Sequence, residues 1–172
     1  MNVYIACGLT HVPRAAFGAY TEFIHGLARA LETAGYEEVS YALKDSDPKL
    51  AYQPFEDRAK LCYRWDREMV ERADIVVAEA SYPSVGLGIE LQLAANDGTP
   101  TILCFERQET HRAAPVQYEN PDSTHHTLQI GEGFVSLMAL GLPTITSIVA
   151  YGSYDEGLAR IVSAASAFLE SG

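Results

Sequence analysis

One carboxylate, Glu90, follows a serine and two glycines in an arrangement suited to chemistry beside an anionic ligand. The stretch PSVGLGIEL places Ser84, Gly86 and Gly88 ahead of Glu90. A carboxylate can stabilise positive charge that develops at the anomeric carbon of a sugar, or bond to that carbon outright. Small and hydroxyl residues at the start of a helix leave backbone N–H groups free to bind an anion. The pattern therefore indicates an acid beside an anion-binding turn.

The segment from residue 73 to residue 107 predicts a βαβ unit that would position Glu90. The run IVVA is β-branched and apolar, as expected for a parallel strand buried on both faces, and TILCF predicts a second such strand. Between them, Ser84 is a candidate helix cap, and the Asp-Gly pair at 97–98 would end the helix. Ligands in open parallel sheets bind beyond the carboxyl ends of the strands. We therefore expect Ser84 and the glycines after it to face a ligand.

Strand and helix signals alternate along the rest of the chain. NVYIA, YEEVSYAL and TSIVAYG predict further strands. Apolar spacing predicts helices from Phe17 to Gly35, over 55–72 with Asp66 on it, and over 155–170. The polar connection over 44–54 is expected to border the pocket. This alternation predicts an α/β fold: a doubly wound, five-stranded, mostly parallel, Rossmann-like sheet flanked by helices.

Length and composition predict a single domain over residues 1–172. With 172 residues and 48% hydrophobic content, the chain can bury one core. It has no apolar run of about 18 residues, so no membrane-spanning helix is expected. A start at a strand-like NVYIA predicts a cytoplasmic protein. Three widely spaced cysteines fit reduced thiols, and the net charge of −11 argues against nucleic acid as a partner.

Three motifs together resemble one known family. They are VYIACG in the first strand, WDREMVERADIVVAE leading into the third, and PSVGLGIEL after it, with a weaker match at FVSLMALG. The chain is similar to the nucleoside 2-deoxyribosyltransferase superfamily, and most similar to its 2'-deoxynucleoside 5'-monophosphate N-glycosidase branch. The resemblance implies a nucleoside deoxyribosyltransferase-like fold and a homodimer that acts on a small-molecule nucleotide without a cofactor.

The resemblance implies roles for three residues in breaking a base–sugar bond. Glu90 matches the residue that attacks the anomeric carbon and forms a covalent glycosyl-enzyme, which water or an acceptor base then resolves. Asp66 matches the acid that protonates or orients the leaving base, and Tyr4 matches a strand tyrosine whose hydroxyl holds the nucleophile. By analogy with retaining glycosidases, the two carboxyl groups should lie about 5–5.5 Å apart.

A further set of residues is expected to bind the substrate and its phosphate. Members that act on free nucleosides carry an acid where this chain has Ser84, and the small hydroxyl favours a nucleotide. Ser136 and Met138 match residues that a partner subunit contributes to the pocket. The complete set of expected binding residues is Ser84, Gly86, Gly88, Gly8, Leu9, His11, Ser136 and Met138.

Two segments depart from the family pattern. Relatives that hydrolyse deoxynucleotides carry an arginine just after the first strand, whereas this chain has CGLTHVPRAAFG, with His11 and Arg14. The connection over 108–132 is longer than expected. A structureless loop of this length is usually functional or disordered, and we interpret it as a lid or a dimer contact.

Each candidate residue also has an ordinary structural interpretation. Glu90 would be a solvated first-turn acid favoured by its helix dipole. Asp66 would pair on the surface with Arg67 or with an arginine a turn away. Tyr4 would be a core aromatic, and Ser84 would only cap its helix. The stripe FVSLMALG is apolar enough for plain packing.

No metal site is expected from the histidines. His125 and His126 are adjacent, so they point apart on a regular element, and no third ligand is evident. His11 and His111 also have an ordinary interpretation, as polar loop residues.

Three functions remain open at this point. The first is an N-glycosidase that hydrolyses the base–sugar bond of a (deoxy)nucleoside 5'-monophosphate, and it is the one that we favour. The second is a nucleoside 2-deoxyribosyltransferase, which passes the sugar to another base. The third is a catalytically silent nucleotide-binding sensor, against which the presence of Tyr4, Asp66 and Glu90 argues.

Overall fold

The computed structural model describes residues 1–170, so the last two residues of the predicted 1–172 domain lie outside the described residues. The strands are β1 (Asn2–Cys7), β2 (Glu38–Tyr41), β3 (Ile75–Glu79), β4 (Thr101–Glu106), β5 (Gln117–Glu119), β6 (His125–Thr127) and β7 (Ile145–Tyr151). The α-helices are α1 (Arg14–Ala34), α2 (Ala42–Asp45), α3 (Asp47–Leu50), α4 (Phe55–Arg72), α5 (Val85–Asp97), α6 (Leu137–Leu140) and α7 (Tyr154–Leu169). Within residues 1–170, none of the helices is long and apolar enough to cross a bilayer.

Five strands form a parallel sheet in the order β2-β1-β3-β4-β7. Leaving aside the separate β5–β6 pair, this is a doubly wound order of the flavodoxin-like kind. Helices α1 and α7 cover one face of the sheet, and α4 and α5 cover the other. The predicted α/β fold is confirmed, and every strand pair within the five-stranded sheet is parallel.

Side chains of the central strands alternate between the two helical layers. In β1, Val3 and Ile5 pack with the cluster under α1 and α7, whereas Tyr4 packs with the cluster under α4 and α5. Both sets are buried because the strands of a doubly covered parallel sheet have no solvent face. The alternation therefore directs the Tyr4 side chain toward the layer that carries Glu90.

The loops after β1 and β3 meet at the carboxyl edge of the sheet, because the chain winds in opposite directions from these neighbouring strands. Gly8, in the first loop, lies against the second. A Cβ atom at Gly8 would come within 2.9 Å of both the Ser84 Cβ atom and the Tyr82 carbonyl oxygen. The close approach of the two loops thus requires glycine at this position.

Helix limits agree closely with the sequence predictions. The predicted helix over 55–72 is α4, and α5 begins directly after Ser84. Gly98 ends α5 in a left-handed conformation with a φ of 73°. This backbone region is nearly free of steric cost for glycine alone, which explains the stop signal.

The predicted strand YEEVSYAL is shorter in the structure. Only Glu38–Tyr41 is strand, and Ala42 begins the short helix α2. The side chain of Asp45 accepts a hydrogen bond of 3.1 Å from the Tyr41 backbone nitrogen, which stabilises the first turn of that helix. The 44–54 connection is therefore partly helical rather than irregular.

The connection over 108–132 is not a structureless loop. Strands β5 and β6 pair as an antiparallel hairpin across a turn at residues 120–124. Asp122 accepts hydrogen bonds from the backbone nitrogen and the hydroxyl of Thr124, and Ser123 adopts a positive φ of 64°. Such Asp and Ser residues favour turns because their side chains bond to the local backbone. Residues 108–133 are called the arm below.

Candidate active site

A tyrosine–carboxylate pair lies between the sheet and α5. The Tyr4 hydroxyl donates a hydrogen bond of 2.8 Å to Oε1 of Glu90. Tyr4 is buried in β1, and Glu90 lies beyond the first turn of α5, with only 9% of its surface exposed. The structure therefore places two of the expected catalytic residues in direct contact. The interpretation of Glu90 as a solvated first-turn acid is wrong.

The second carboxylate oxygen of Glu90, Oε2, is buried and has no hydrogen-bond partner within residues 1–170. Burial raises the pKa of Glu90 from its ordinary value of 4.5 to about 7. The Tyr4 hydrogen bond opposes this rise, and the negative charge of Asp66 adds to it. Glu90 thus has one oxygen held in place, one oxygen without a partner, and a pKa of the kind that is frequent at functional sites.

Asp66 projects from α4 and is held by two donors. Ser46 Oγ donates a hydrogen bond of 2.5 Å to Oδ1, and Cys62 Sγ donates one of 3.3 Å to Oδ2. Arg67, the expected surface partner, instead pairs with Glu71 at 2.6 Å. The surface-pair interpretation of Asp66 is therefore wrong, and its carboxylate is oriented by α2–α3 and by its own helix.

Sequence reasoning missed both residues that orient Asp66. Cys62 lies four residues before Asp66, and this spacing places two side chains side by side on one face of a helix. The sequence therefore contained a spacing that could have indicated Cys62 as a neighbour of Asp66. Ser46 lies in the turn between α2 and α3, inside the connection expected to border the pocket, and no local pattern indicates which of its residues reaches Asp66.

Ser84 caps α5 at the carboxyl edge of the sheet. Its hydroxyl oxygen accepts a hydrogen bond of 3.2 Å from the Leu87 backbone nitrogen. Gly86 and Gly88 are exposed in the first turn, and a Cβ atom at Gly88 would meet no atom within 4 Å. Packing therefore does not require glycine at position 88. The first turn of α5 presents bare backbone, and capping and anion binding use the same end of the helix.

A cavity of about 590 Å³ lies between α5 and the segment 134–142. Five of the expected binding residues line it, namely Ser84, Gly88, His11, Ser136 and Met138. The other expected residues do not line it, namely Tyr4, Asp66, Glu90, Gly8, Leu9 and Gly86. Neither Tyr4 nor Glu90 lines the cavity. Two lining residues, Tyr82 and Ser84, also lie against Gly8 in the loop after β1.

Ser136 and Met138 lie on the short helix α6. The Ser136 hydroxyl caps α6 and accepts a hydrogen bond of 3.2 Å from the Met138 backbone nitrogen, and Met138 is 81% exposed. The resemblance places the matching residues in the pocket of a partner subunit, whereas here both line the cavity of their own chain. The homodimer stays a prediction.

The chain matches known proteins in sequence and in structure, although no family model matches it. A protein of Thermofilum pendens (strain DSM 2475 / Hrk 5) named "Putative 2'-deoxynucleoside 5'-phosphate N-hydrolase 1" is 35% identical over 110 residues. That match covers 63% of this chain and 70% of the relative. The chain belongs to the 2'-deoxynucleoside 5'-phosphate N-hydrolase family. The predicted family is thereby confirmed.

Two solved structures share the fold of this N-hydrolase family member. The CMP N-glycosidase BcmB of Clostridium botulinum has a TM-score of 0.56 at 18% identity, over 94% of this chain and 97% of that one. A conserved protein from Enterococcus faecalis V583 has a TM-score of 0.55 at 16% identity, over 95% and 98% of the two chains. At these identities the likeness concerns the fold.

A second buried acid, Glu79, lies at the end of β3. The hydroxyls of Tyr20 and Tyr151 donate hydrogen bonds of 2.5 Å and 2.8 Å to it, and the Ser81 hydroxyl donates a third. Burial raises the pKa of Glu79, and these hydrogen bonds oppose the rise. The network ties α1, β3 and β7 together and fixes the start of the loop that leads to Ser84.

The histidine pair of the arm has local contacts. His126 Nε2 lies 3.1 Å from the Thr124 hydroxyl, and its ring packs near Tyr118. Strand β6, which carries His125 and His126, is exposed throughout. Within residues 1–170, no group of three His, Cys, Asp or Glu side chains is placed to hold a metal ion.

Two substitutions are expected to shift the pKa of Glu90 in opposite directions. Tyr4→Phe removes a hydrogen bond that lowers this pKa, so the pKa should rise. Asp66→Asn removes a negative charge that raises it, so the pKa should fall. The measurement is a pH titration of carbon-13-labelled glutamate carboxyl signals, with the Glu90 signal identified by its absence in Glu90→Gln. Tyr63→Phe, at an exposed tyrosine of α4, is the control, and equal shifts in both variants would contradict the geometry.

Proposed function

We propose that the protein hydrolyses the base–sugar bond of a (deoxy)nucleoside 5'-monophosphate through a covalent glycosyl intermediate on Glu90. Membership of an N-hydrolase family makes the protein an N-glycosidase enzyme, and the name of its relative supports a nucleotide substrate. One observation carries the assignment of the nucleophile. Tyr4 holds one oxygen of Glu90, and the other oxygen is buried and has no hydrogen-bond partner among the described residues.

The first half-reaction forms a bond between a carboxylate oxygen of Glu90 and the anomeric carbon. The base–sugar bond breaks at the same time, and its electron pair leaves with the base. In the reactive form the two carboxyl groups hold one proton between them: Glu90 is charged and Asp66 carries the proton. Asp66 gives this proton to the leaving base, so that the base departs neutral. The transition state resembles an oxocarbenium ion, and its positive charge is stabilised by the carboxylate of Glu90 in a water-poor setting.

The second half-reaction returns the enzyme to its starting state. A water molecule attacks the anomeric carbon, gives its proton to Asp66, and releases the sugar 5-phosphate from Glu90. Ser46 and Cys62 keep the Asp66 carboxyl in one orientation through both steps. Tyr4 keeps its hydrogen bond to Glu90, which favours the charged form of the leaving carboxylate.

The start of α5 is the proposed site of the substrate phosphate. The chain carries a net charge of −11, so binding of a phosphate needs a local source of positive potential. The N-terminus of α5 provides one through the helix dipole and the bare backbone around Gly86 and Gly88. Ser84 adds a hydroxyl without negative charge. The proposed set of phosphate-binding residues is completed by the loop after β1, with Gly8, Leu9 and His11.

A silent sensor is the weaker interpretation of the same site. Glu90 is buried, and the nearby negative charge of Asp66 raises its pKa, so the site brings two acids together where an anionic ligand would bind. Placing like charges together in a buried site opposes the binding of an anion and serves no purpose in a pure binder. Catalysis gives both acids a role.

The test is base release from a panel of ribo- and deoxyribonucleoside 5'-monophosphates and the matching nucleosides, followed by chromatography. Each substrate is incubated with and without an acceptor base, and Glu90→Gln is run in parallel. Release from a monophosphate without an acceptor, lost in the variant, is the expected result. Release only with an acceptor would assign a 2-deoxyribosyltransferase. Thermal stabilisation by a nucleotide with no release would assign the sensor.

A further inference from the structure

His111 lines the same cavity as Ser84 and is used neither by the family motifs nor by the proposed chemistry. Its Nδ1 atom is buried and has no hydrogen-bond partner within residues 1–170. Its ring lies 4.9 Å from the ring of Tyr82, measured between centroids, and Tyr82 is two residues before Ser84. The earlier interpretation of His111 as an ordinary polar loop residue does not explain a buried nitrogen without a partner.

The arm holds His111 in place at its base. The backbone nitrogen of Ala113 donates a hydrogen bond of 2.8 Å to the Gly133 carbonyl, and Arg112 Nε donates one of 2.8 Å to the Glu132 carbonyl. His111 itself ends a single 3₁₀ turn through a hydrogen bond of 2.9 Å to the Gln108 carbonyl. The two ends of the arm are thus tied together next to the cavity, and these contacts hold the backbone that carries His111.

The cavity lining is suited to an anion. It contains no Asp, Glu, Lys or Arg among the described residues, although the chain carries 23 acidic side chains. The lining side chains that carry a polar group are His11, Ser81, Tyr82, Ser84, Gln92, His111 and Ser136. An imidazole always carries at least one N–H donor and is the only side-chain type in this lining that can become positive. The two histidines therefore line the cavity together with the α5 cap, and no carboxylate among the described residues lines it.

We propose that His111, with His11, donates hydrogen bonds to the 5'-phosphate of a nucleotide bound at Ser84, and thereby selects monophosphates over nucleosides. This inference rests on the proposed function and adds to it a specificity-determining residue supplied by the arm. The two imidazoles would add side-chain donors to the backbone N–H groups at the start of α5 and to the Ser84 hydroxyl. His111 reaches the cavity from the arm, whereas His11 reaches it from the loop after β1.

The test compares His111→Phe with His125→Phe in the full-length protein. Phenylalanine at 111 keeps an aromatic ring against Tyr82 and removes the N–H donors, while His125 is exposed on β6 and does not line the cavity. We expect His111→Phe to raise KM for a nucleoside 5'-monophosphate by about tenfold or more, because a hydrogen bond to a charged group contributes that much to binding. KM for the matching nucleoside should stay within about twofold, and kcat should change little. His111→Gln, which retains an N–H donor, should recover part of the loss.

Two outcomes would overturn the inference while the proposed function stands. One is an unchanged KM for the monophosphate in His111→Phe, and the other is an equal loss for nucleoside and monophosphate. If the wild-type protein releases no base, the proposed function fails. Thermal stabilisation by the same monophosphates then tests whether His111 contributes to phosphate binding. Weaker stabilisation of His111→Phe than of His125→Phe would support the inference. Equal stabilisation of the two variants, or none of the wild type, would overturn it.

Discussion

Replacement of Glu90 by glutamine is expected to lower kcat for base release by at least about 10³-fold, as is usual when a covalent nucleophile is removed. Glutamine has the same size, and its amide oxygen can accept the Tyr4 hydrogen bond that Oε1 accepts now. Its neutral amide cannot form the ester bond to the anomeric carbon. The Kd for the nucleotide should stay close to that of the wild type, because the proposed phosphate contacts at Ser84 are unchanged. Single-turnover base release, followed by chromatography, measures the effect.

Glu22→Gln is the matched control for this substitution. It removes one carboxylate from an exposed position of α1 and leaves the site untouched, so its kcat should equal that of the wild type. A second measurement tests the intermediate directly. In acid-quenched wild-type enzyme, the peptide that contains Glu90 should gain the mass of the sugar phosphate less one water, and the same peptide of Glu90→Gln should not. A loss in kcat below about tenfold would be too small for a covalent nucleophile.

The fold could be predicted from the sequence because the local strand and helix-end signals agreed with one another. The apolar runs around Ile75 and Thr101 lacked alternation, as strands covered on both faces do, and both are central strands of the sheet. Ser84 and Gly98 marked the ends of α5 by cap chemistry alone. The arm was misjudged for a physical reason. Its strands are short and exposed, so hydrophobic periodicity was absent and only the turn chemistry around Asp122 indicated a hairpin.

The candidate residues came from the resemblance, and their geometry came from the structure alone. The resemblance indicated Tyr4, Asp66 and Glu90, whose catalytic roles stay predictions, and strand alternation explains why Tyr4 faces α5. The burial of Glu90 depends on how α5 packs on β1, a contact between residues 86 positions apart. The Ser46 contact to Asp66 depends on a turn that only the folded chain brings to α4. Long-range contacts of this kind have no local signature, and the partnerless nitrogen of His111 belongs to the same class.

The stability of the protein is expected to depend on pH through Glu90. Burial raises the pKa of Glu90 from 4.5 to about 7, so the folded state favours the protonated carboxyl. The stabilisation that this provides is fully present below a pH of about 4.5 and is lost as the pH rises through about 7. Above that pH, the folded protein must keep a charged carboxylate in a buried position. The nucleophile is thus expected to weaken the fold under the conditions in which its charged form reacts.

Glu90→Gln should therefore gain stability relative to the wild type as the pH increases, because glutamine has no proton to lose. Between pH 5 and pH 8, the difference in free energy of unfolding should move in favour of the variant by about 2–3 kcal/mol, since each pKa unit corresponds to about 1.4 kcal/mol. Urea denaturation of both proteins at the two pH values measures this change. Glu22→Gln corrects for the loss of one carboxylate at an exposed site, where no such trend is expected. A difference that is equal at pH 5 and pH 8 would mean that Glu90 is ionised at little cost, and the buried oxygen would then have an unrecognised donor.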